Sequence, residues 1–231
     1  MRLDKFLCDC NIGTRSQIKK DIKAGLVTVN GVKELKPEQH IDENRDCICY
    51  KGQPCIYEKY VYYMLHKPAG VVSATEDKQE QTVIDLLGQE KRDDLFPVGR
   101  LDKDAEGLLL ITNDGALAHE LLSPAKHVEK EYECRLAYPF DDVKRMQLER
   151  GVDIGEKAPT RPAVVKILDE KKITLTITEG KFHQVKRMLH AVGNEVVYLK
   201  RLRMGALTLD EELSKGSFSR LTEEETENLR K

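Results

Sequence analysis

The run Leu108-Leu109-Leu110-Ile111 belongs in a protein interior, yet a dense stretch of charge precedes it directly. Phe96-Pro97-Val98-Gly99-Arg100-Leu101-Asp102 passes through Lys103-Asp104-Ala105-Glu106-Gly107 before the apolar residues begin. So short an apolar segment, bounded by turn residues, reads as a buried strand. Asp102 then sits at the edge of that strand, where neighbours and not bulk water set its position and ionisation. A carboxylate held this way is a candidate for chemistry. The plainer reading makes Arg100 and Asp102 a structural ion pair where the strand starts.

The chain has 231 residues, enough for one large domain or a small one joined to a larger one. With 40% hydrophobic and 34% charged residues it reads as a globular protein with a heavily charged surface. No apolar run approaches the roughly 20 residues that span a bilayer, and Met1-Arg2-Leu3-Asp4-Lys5-Phe6 lacks the apolar stretch of a signal peptide. A cytosolic location is expected. Cys8, Cys10, Cys47, Cys49, Cys55 and Cys134 are expected to be free, packed thiols, because C-x-C spacing does not give the bite of a zinc site. The net charge of −2 conceals segregation. Residues 1–36 and 180–205 are both strongly basic, whereas the chain from Asp210 onward is acidic. Two basic stretches on a near-neutral chain suggest footprints for a polyanion.

Residues 1–36 read as two short helices and a hairpin. Thr14 and Gln17 have the spacing of a capping box, and Ile18 and Ile22 then share one face. Arg15, Lys19 and Lys23 recur every fourth residue, which puts a basic row on another face. Gly25 is placed to end the helix in the left-handed conformation. Leu26–Val29 alternates as a strand, and Asn30-Gly31 is a strong hairpin signal. A boundary falls near 58/59, giving domains 1–58 and 59–231; a domain of the first size has a thin core. Beyond the boundary, strand-like runs occur at 61–65, 107–112, 132–136, 163–167, 173–177 and 195–199. Helical patterns lie at 82–87, 116–122, 140–150 and 183–191. Their irregular interleaving favours an α+β fold with a mainly antiparallel sheet.

Four segments of the second domain combine unusual features. Tyr63-Met64-Leu65-His66-Lys67-Pro68-Ala69-Gly70 ends a strand in a Pro/Gly turn. The Asp102 segment follows, then Lys130-Glu131-Tyr132 at a strand start. Last, Glu179-Gly180-Lys181-Phe182-His183-Gln184-Val185-Lys186-Arg187-Met188 opens a helix with cations in its first turn, Lys186 lying one turn beyond Phe182.

In these four ordered motifs, and in the stretch from Met1-Arg2-Leu3-Asp4-Lys5-Phe6-Leu7 to Val29-Asn30-Gly31, the chain resembles the bacterial rRNA pseudouridine synthases of the small-subunit type, preceded by an S4 RNA-binding domain. The resemblance spans nearly the whole chain. It implies a small S4-like α/β domain followed by a larger catalytic domain, whose mainly antiparallel mixed sheet is flanked by helices. Asp102 would be the catalytic carboxylate, attacking C1′ or removing a sugar proton. Tyr132 would stack on the uracil and relay a proton. Lys186 would keep Asp102 ionised. Arg100, Leu101, Leu199 and Gln184 would form the substrate pocket, with Leu202 a competitor for the place of Leu199. RNA contacts would come from Arg2, Lys5, Arg15, Lys19, Lys20, Lys23, Lys67, Lys181, His183 and Arg187. On an extended segment Asp104 would point away from Asp102, leaving it a structural or RNA-proximal role.

The resemblance implies no cofactor and no metal. The partner would be rRNA, with 16S favoured by the chain length and the lack of basic extensions, and the protein would act as a monomer. The base must leave its stack, so the RNA must be single-stranded or strained at the target. Three alternatives stay open: a synthase acting on 23S rRNA, a non-catalytic ribosome-assembly factor, and a hydrolase pairing Asp102 with Glu106 or Glu179.

Overall fold

A computed structural model describes all residues, Met1–Lys231, and the chain divides into two compact units. Unit one comprises Met1–Val61 with Gly88–Asp94, and unit two comprises Tyr62–Leu87 with Leu95–Lys231. The sequence boundary at 58/59 is thus moved to Val61/Tyr62, and a second segment returns to the first unit. Arg92 explains the return: its guanidinium grips the Asp94 carboxylate through Nε and Nη2, at 3.0 and 2.8 Å, and donates to the Glu58 carbonyl at 3.2 Å. The same return breaks the helix expected at 82–87. Thr82 closes a tight turn on the Asp85 carboxylate, and a 3₁₀ segment, Asp85–Glu90, is interrupted at Gly88, which has a φ of 54°.

In unit one, α1 (Leu3–Asp9) and α2 (Arg15–Lys23) pack with β1 (Val27–Val29), β2 (Val32–Lys33), β3 (Ile48–Tyr50) and β4 (Gln53–Pro54). The strands form a sheet in the order β2-β1-β3-β4. Leu3, Phe6, Leu7, Ile18, Ile22, Val27, Ile41 and Ile48 make its core. Thr14 accepts the Gln17 N–H, but the Gln17 side chain turns to Asp21, so only half of the expected capping box forms. Asn30 and Gly31 both take positive φ, which is what the tight turn between β1 and β2 requires. Arg15, Lys19, Lys20 and Lys23 are exposed. Arg2 and Lys5 differ: Arg2 holds the buried Asp4 carboxylate through two hydrogen bonds, and Lys5 pairs with Asp9 at 2.7 Å. Their first task is to satisfy charge on the same helix.

Unit two is a nine-stranded mixed sheet. Its strands are β5 (Tyr62–Lys67), β6 (Phe96–Pro97), β7 (Glu106–Thr112), β8 (Lys130–Leu136), β9 (Val164–Asp169), β10 (Lys172–Ile177), β11 (Val196–Met204), β12 (Leu207–Thr208) and β13 (Phe218–Arg220). Seven run in the order β13-β5-β7-β11-β8-β10-β9, with β12 paired to β11 and β6 to β7. Only β7 and β11 run parallel within it. The expected α+β class with a mainly antiparallel sheet is therefore what the chain adopts. Four helices, α3 (Gly115–Leu122), α4 (Asp142–Arg150), α5 (Gln184–Ala191) and α6 (Glu223–Leu229), accompany the sheet.

Every residue of β7 is buried, since helices and loops cover both faces; hence the uninterrupted apolar run. Leu108 and Leu110 join one core with Leu117 and Leu121 of α3. The other core sets Tyr132, Cys134 and Leu199 of the sheet against Val185, Met188 and Leu189 of α5. Gly107, with a φ of 103°, lets β11 approach β7 closely; a Cβ there would lie 2.2 Å from the Arg201 carbonyl oxygen.

The loop between β6 and β7, which carries Asp102, is fixed from below. Lys67, expected among the RNA contacts, is fully buried and points its ammonium into this loop. Nζ donates to the carbonyls of Pro68, Asp102, Lys103 and Ala105 at 3.1, 3.0, 3.3 and 2.8 Å. Burial pulls the amine down to about 8, still protonated at neutral pH. The Ser73 hydroxyl adds a clamp by donating to the Leu101 carbonyl and accepting its N–H.

Two outcomes follow from this packing. Gly107→Ala should cost about 3 kcal/mol, because the new Cβ must push β11 away and keep a positive φ; urea unfolding reads this directly. Lys67→Met keeps the volume but strands the loop carbonyls without their shared donor. It should lower stability by about 2 to 4 kcal/mol and accelerate amide exchange across residues 101–105 more than in α4.

Candidate active site

A cavity of about 480 Å³ opens in unit two over the Asp102 loop, the start of α5 and the central strands. That volume suits a ligand of nucleoside size. Asp102, Tyr132, Lys186, Arg100, Leu101, Leu199, Gln184, Lys181 and His183 all line it. They come from segments far apart in sequence, so the fold alone brings them together. Tyr132 lies on β8 directly across from Arg201 on β11, and both are buried in the floor with Leu199.

The electrostatics centre on one ammonium. Lys186 Nζ lies 3.0 Å from Asp102 Oδ2 and 2.6 Å from Asp104 Oδ1. Partial burial would lower the Lys186 amine, but hydrogen bonds to Asp104 and Asp102 outweigh it and raise it above its ordinary range. The bond from Lys186 holds the Asp104 carboxyl below the usual carboxylate range. His183 Nε2 approaches Asp102 from the other side, at 3.5 Å from Oδ1. Asp102 therefore pairs with Lys186, and Arg100 stays exposed at the rim. The expectation that Asp104 points away is corrected. Residues 102–105 form a turn, closed by the Ala105 N–H on the Asp102 carbonyl, and a turn brings both carboxylates to the same amine.

Three other expectations change. Gln184 lines the cavity, but its side chain is used locally: Oε1 accepts the Lys181 N–H at 2.9 Å and Nε2 donates to Glu179 at 2.8 Å. Arg187, half-buried, pairs with Glu156 and donates to the carbonyls of Phe182 and Ile154, so its guanidinium braces these loops. The basic stretch 180–205 is also less available than its charge suggests. Arg203 is bound to Glu129 and Glu131, and Arg201 is buried. Lys181 is partly neutralised by Glu179 at 3.4 Å.

Arg201 was not picked out from the sequence as a site residue. Its Nε donates to the Leu108 carbonyl at 2.7 Å, while Nη2 is buried without a partner. The available signal was its spacing: two residues beyond Leu199 on a strand puts it on the same face. Around the cavity, Arg100, Lys103, Lys130, Lys181, Lys186 and Arg201 contribute positive charge, and Asp102 is the one carboxylate. A single anionic oxygen donor, held by a lysine in a cationic bowl with an aromatic floor, suits nucleophilic or base chemistry on a planar, negatively charged ligand.

Comparison with known proteins agrees with this geometry. Residues 61–191 match the family described as RNA pseudouridylate synthase, and residues 1–46 match the S4 domain. An uncharacterized RNA pseudouridine synthase of Bacillus subtilis, YtzG, is 49% identical over 97% of this chain and 96% of its own length. The ribosomal small subunit pseudouridine synthase A of Vibrio cholerae is 43% identical over 99% of both chains. A crystal structure of a pseudouridylate synthase superimposes with a TM-score of 0.71 at 38% identity, covering 99% of each chain. The motifs, the sheet and these full-length similarities together make the chain a member of the RNA pseudouridine synthase family that carries an N-terminal S4 domain.

Proposed function

We propose that this protein isomerises a specific uridine of ribosomal RNA to pseudouridine, with 16S rRNA as the substrate, and that it works as a monomer in the cytoplasm where ribosomes assemble. The observation that carries the reading is Asp102, the sole carboxylate of the cavity lining, held 3.0 Å from Lys186 above a floor containing Tyr132. Full-length similarity to proteins named for the small ribosomal subunit supports the choice of 16S rRNA.

The reaction breaks N1–C1′, turns the freed base and joins its C5 to C1′; the C5 proton is lost and N1 gains one. Asp102 acts on the ribose, either by adding to C1′ as N1 departs with the bonding electrons or by taking a sugar proton. Either role needs an oxygen held in place, and the Lys186 ammonium 3.0 Å from Oδ2 holds it. Tyr132 offers a flat face for the uracil and a hydroxyl for proton relay. Leu199 and Leu101 supply apolar lining, and the unpartnered Nη2 of Arg201 supplies a donor for a uracil carbonyl oxygen as charge builds on the departing base. Arg100 at the exposed rim is placed to fill the gap an extruded base leaves. The exposed row Arg15, Lys19, Lys20 and Lys23 serves as a grip for phosphates.

Release of tritium from C5-labelled uridine in 16S transcripts tests the chemistry. Asp102→Asn should release none while binding the transcript as the unaltered protein does; normal release would remove Asp102 from the mechanism. An unaltered protein that binds RNA yet releases no tritium would instead be a non-catalytic binder. The phosphate grip has its own measure. The double change Lys19→Gln and Lys23→Gln should flatten the slope of log affinity against log salt by about two units, roughly one per lost phosphate contact.

A further inference from the structure

We propose that Phe182 is a stacking platform for a nucleobase flanking the target uridine, a subsite next to the catalytic cavity. The inference rests on the reading of the cavity as the place of an extruded uridine. Phe182 is 72% exposed, although it lines the cavity that Asp102 also lines. A lone exposed apolar side chain needs no explanation in general; this one is held in a specific presentation. One ring face stacks on the His183 imidazole, with centroids 3.8 Å apart and planes inclined by 22°. His183 in turn reaches Asp102 at 3.5 Å, so the two rings form a short stair from the catalytic carboxylate to the rim.

The turn beneath the stair is braced. Arg187 donates to the Phe182 carbonyl at 3.0 Å and also reaches the Glu156 carboxylate, while Gln184 ties the Lys181 N–H to Glu179. His183 adopts the left-handed conformation, with φ 48° and ψ 36°, which sets the direction in which both rings leave the backbone. The outer face of Phe182 is thus presented before any ligand arrives, and little ordering is lost when a base lands on it. Arg100, exposed at the rim, and Lys181 line the same cavity and add positive charge for the phosphates beside an extruded nucleotide. A π-face beside a cationic track is the arrangement that holds single-stranded nucleic acid without reading its sequence.

The protein contains no tryptophan, so Phe182→Trp introduces a single indole at the proposed contact, excited selectively over the eight tyrosines. In full-length protein that also carries Asp102→Asn, to prevent turnover, the emission should be quenched on saturation with a 16S rRNA transcript or with poly(U). In the same inactive background, Phe182→Ala and Phe182→Leu should each weaken binding by roughly fivefold or more, with unchanged melting temperature, while Phe182→Trp restores affinity. Leucine keeps the apolar bulk without the π-face, so loss in both variants identifies stacking. Emission that stays constant at saturating RNA, or leucine binding as tightly as phenylalanine, would overturn the proposal. Quenching by poly(U) without binding of the 16S transcript would support the platform and overturn only the choice of 16S rRNA. No binding to either RNA would overturn both.

Discussion

A fully buried ammonium under a loop is the constraint on which this structure turns. Lys67 gathers four backbone carbonyls around one nitrogen, three of them from the short span between Asp102 and Ala105. Carbonyl oxygens grouped this closely repel one another unless a cation sits among them, and in the interior no water can replace it. The backbone from which the Asp102 side chain leaves is therefore fixed by a residue at the end of β5. With the backbone fixed, the turn of 102–105 brings Asp104 alongside Asp102, and one lysine from α5 can serve both.

The site uses charge economically. Lys186 gives its strongest contact to the exposed Asp104 and a second to Asp102, so it is held in place by a carboxylate that does not face the cavity. Asp104 thereby anchors the amine in its orientation and leaves Asp102 open toward the cavity. Arg201 works in the opposite sense. One nitrogen is tied to the Leu108 backbone and another is buried with nothing to meet it, an arrangement that is unfavourable until an acceptor enters.

Much of this was legible in the chain, for physical reasons that differ by element. β7 announced itself because a strand covered on both faces has an unbroken apolar middle, here Leu108–Ile111. Asn30-Gly31 was readable because few residues tolerate two successive positive φ angles. Asp102, Tyr132 and Lys186 came from ordered motifs, and the fold brings all three to one cavity. What failed was inference from charge to exposure. Lys67, Arg187, Arg201 and Arg203 read as a surface grip, but each is used internally, by carbonyls, by acids or by burial. Linear charge density says nothing about partners supplied by distant strands. Asp104 failed for a related reason: alternation along an extended backbone does not apply once the segment turns.

The return of Gly88–Asp94 to the first unit has a practical meaning for anyone who would cut or recombine this protein. The polypeptide passes from one unit to the other three times, at 61/62, 87/88 and 94/95. A truncation after residue 61 removes the Arg92 strap whose guanidinium clasps the Glu58 carbonyl, and it leaves the amputated remainder carrying an orphaned heptapeptide. Grafting the first unit onto another body would need two splice junctions more than a simple tandem arrangement.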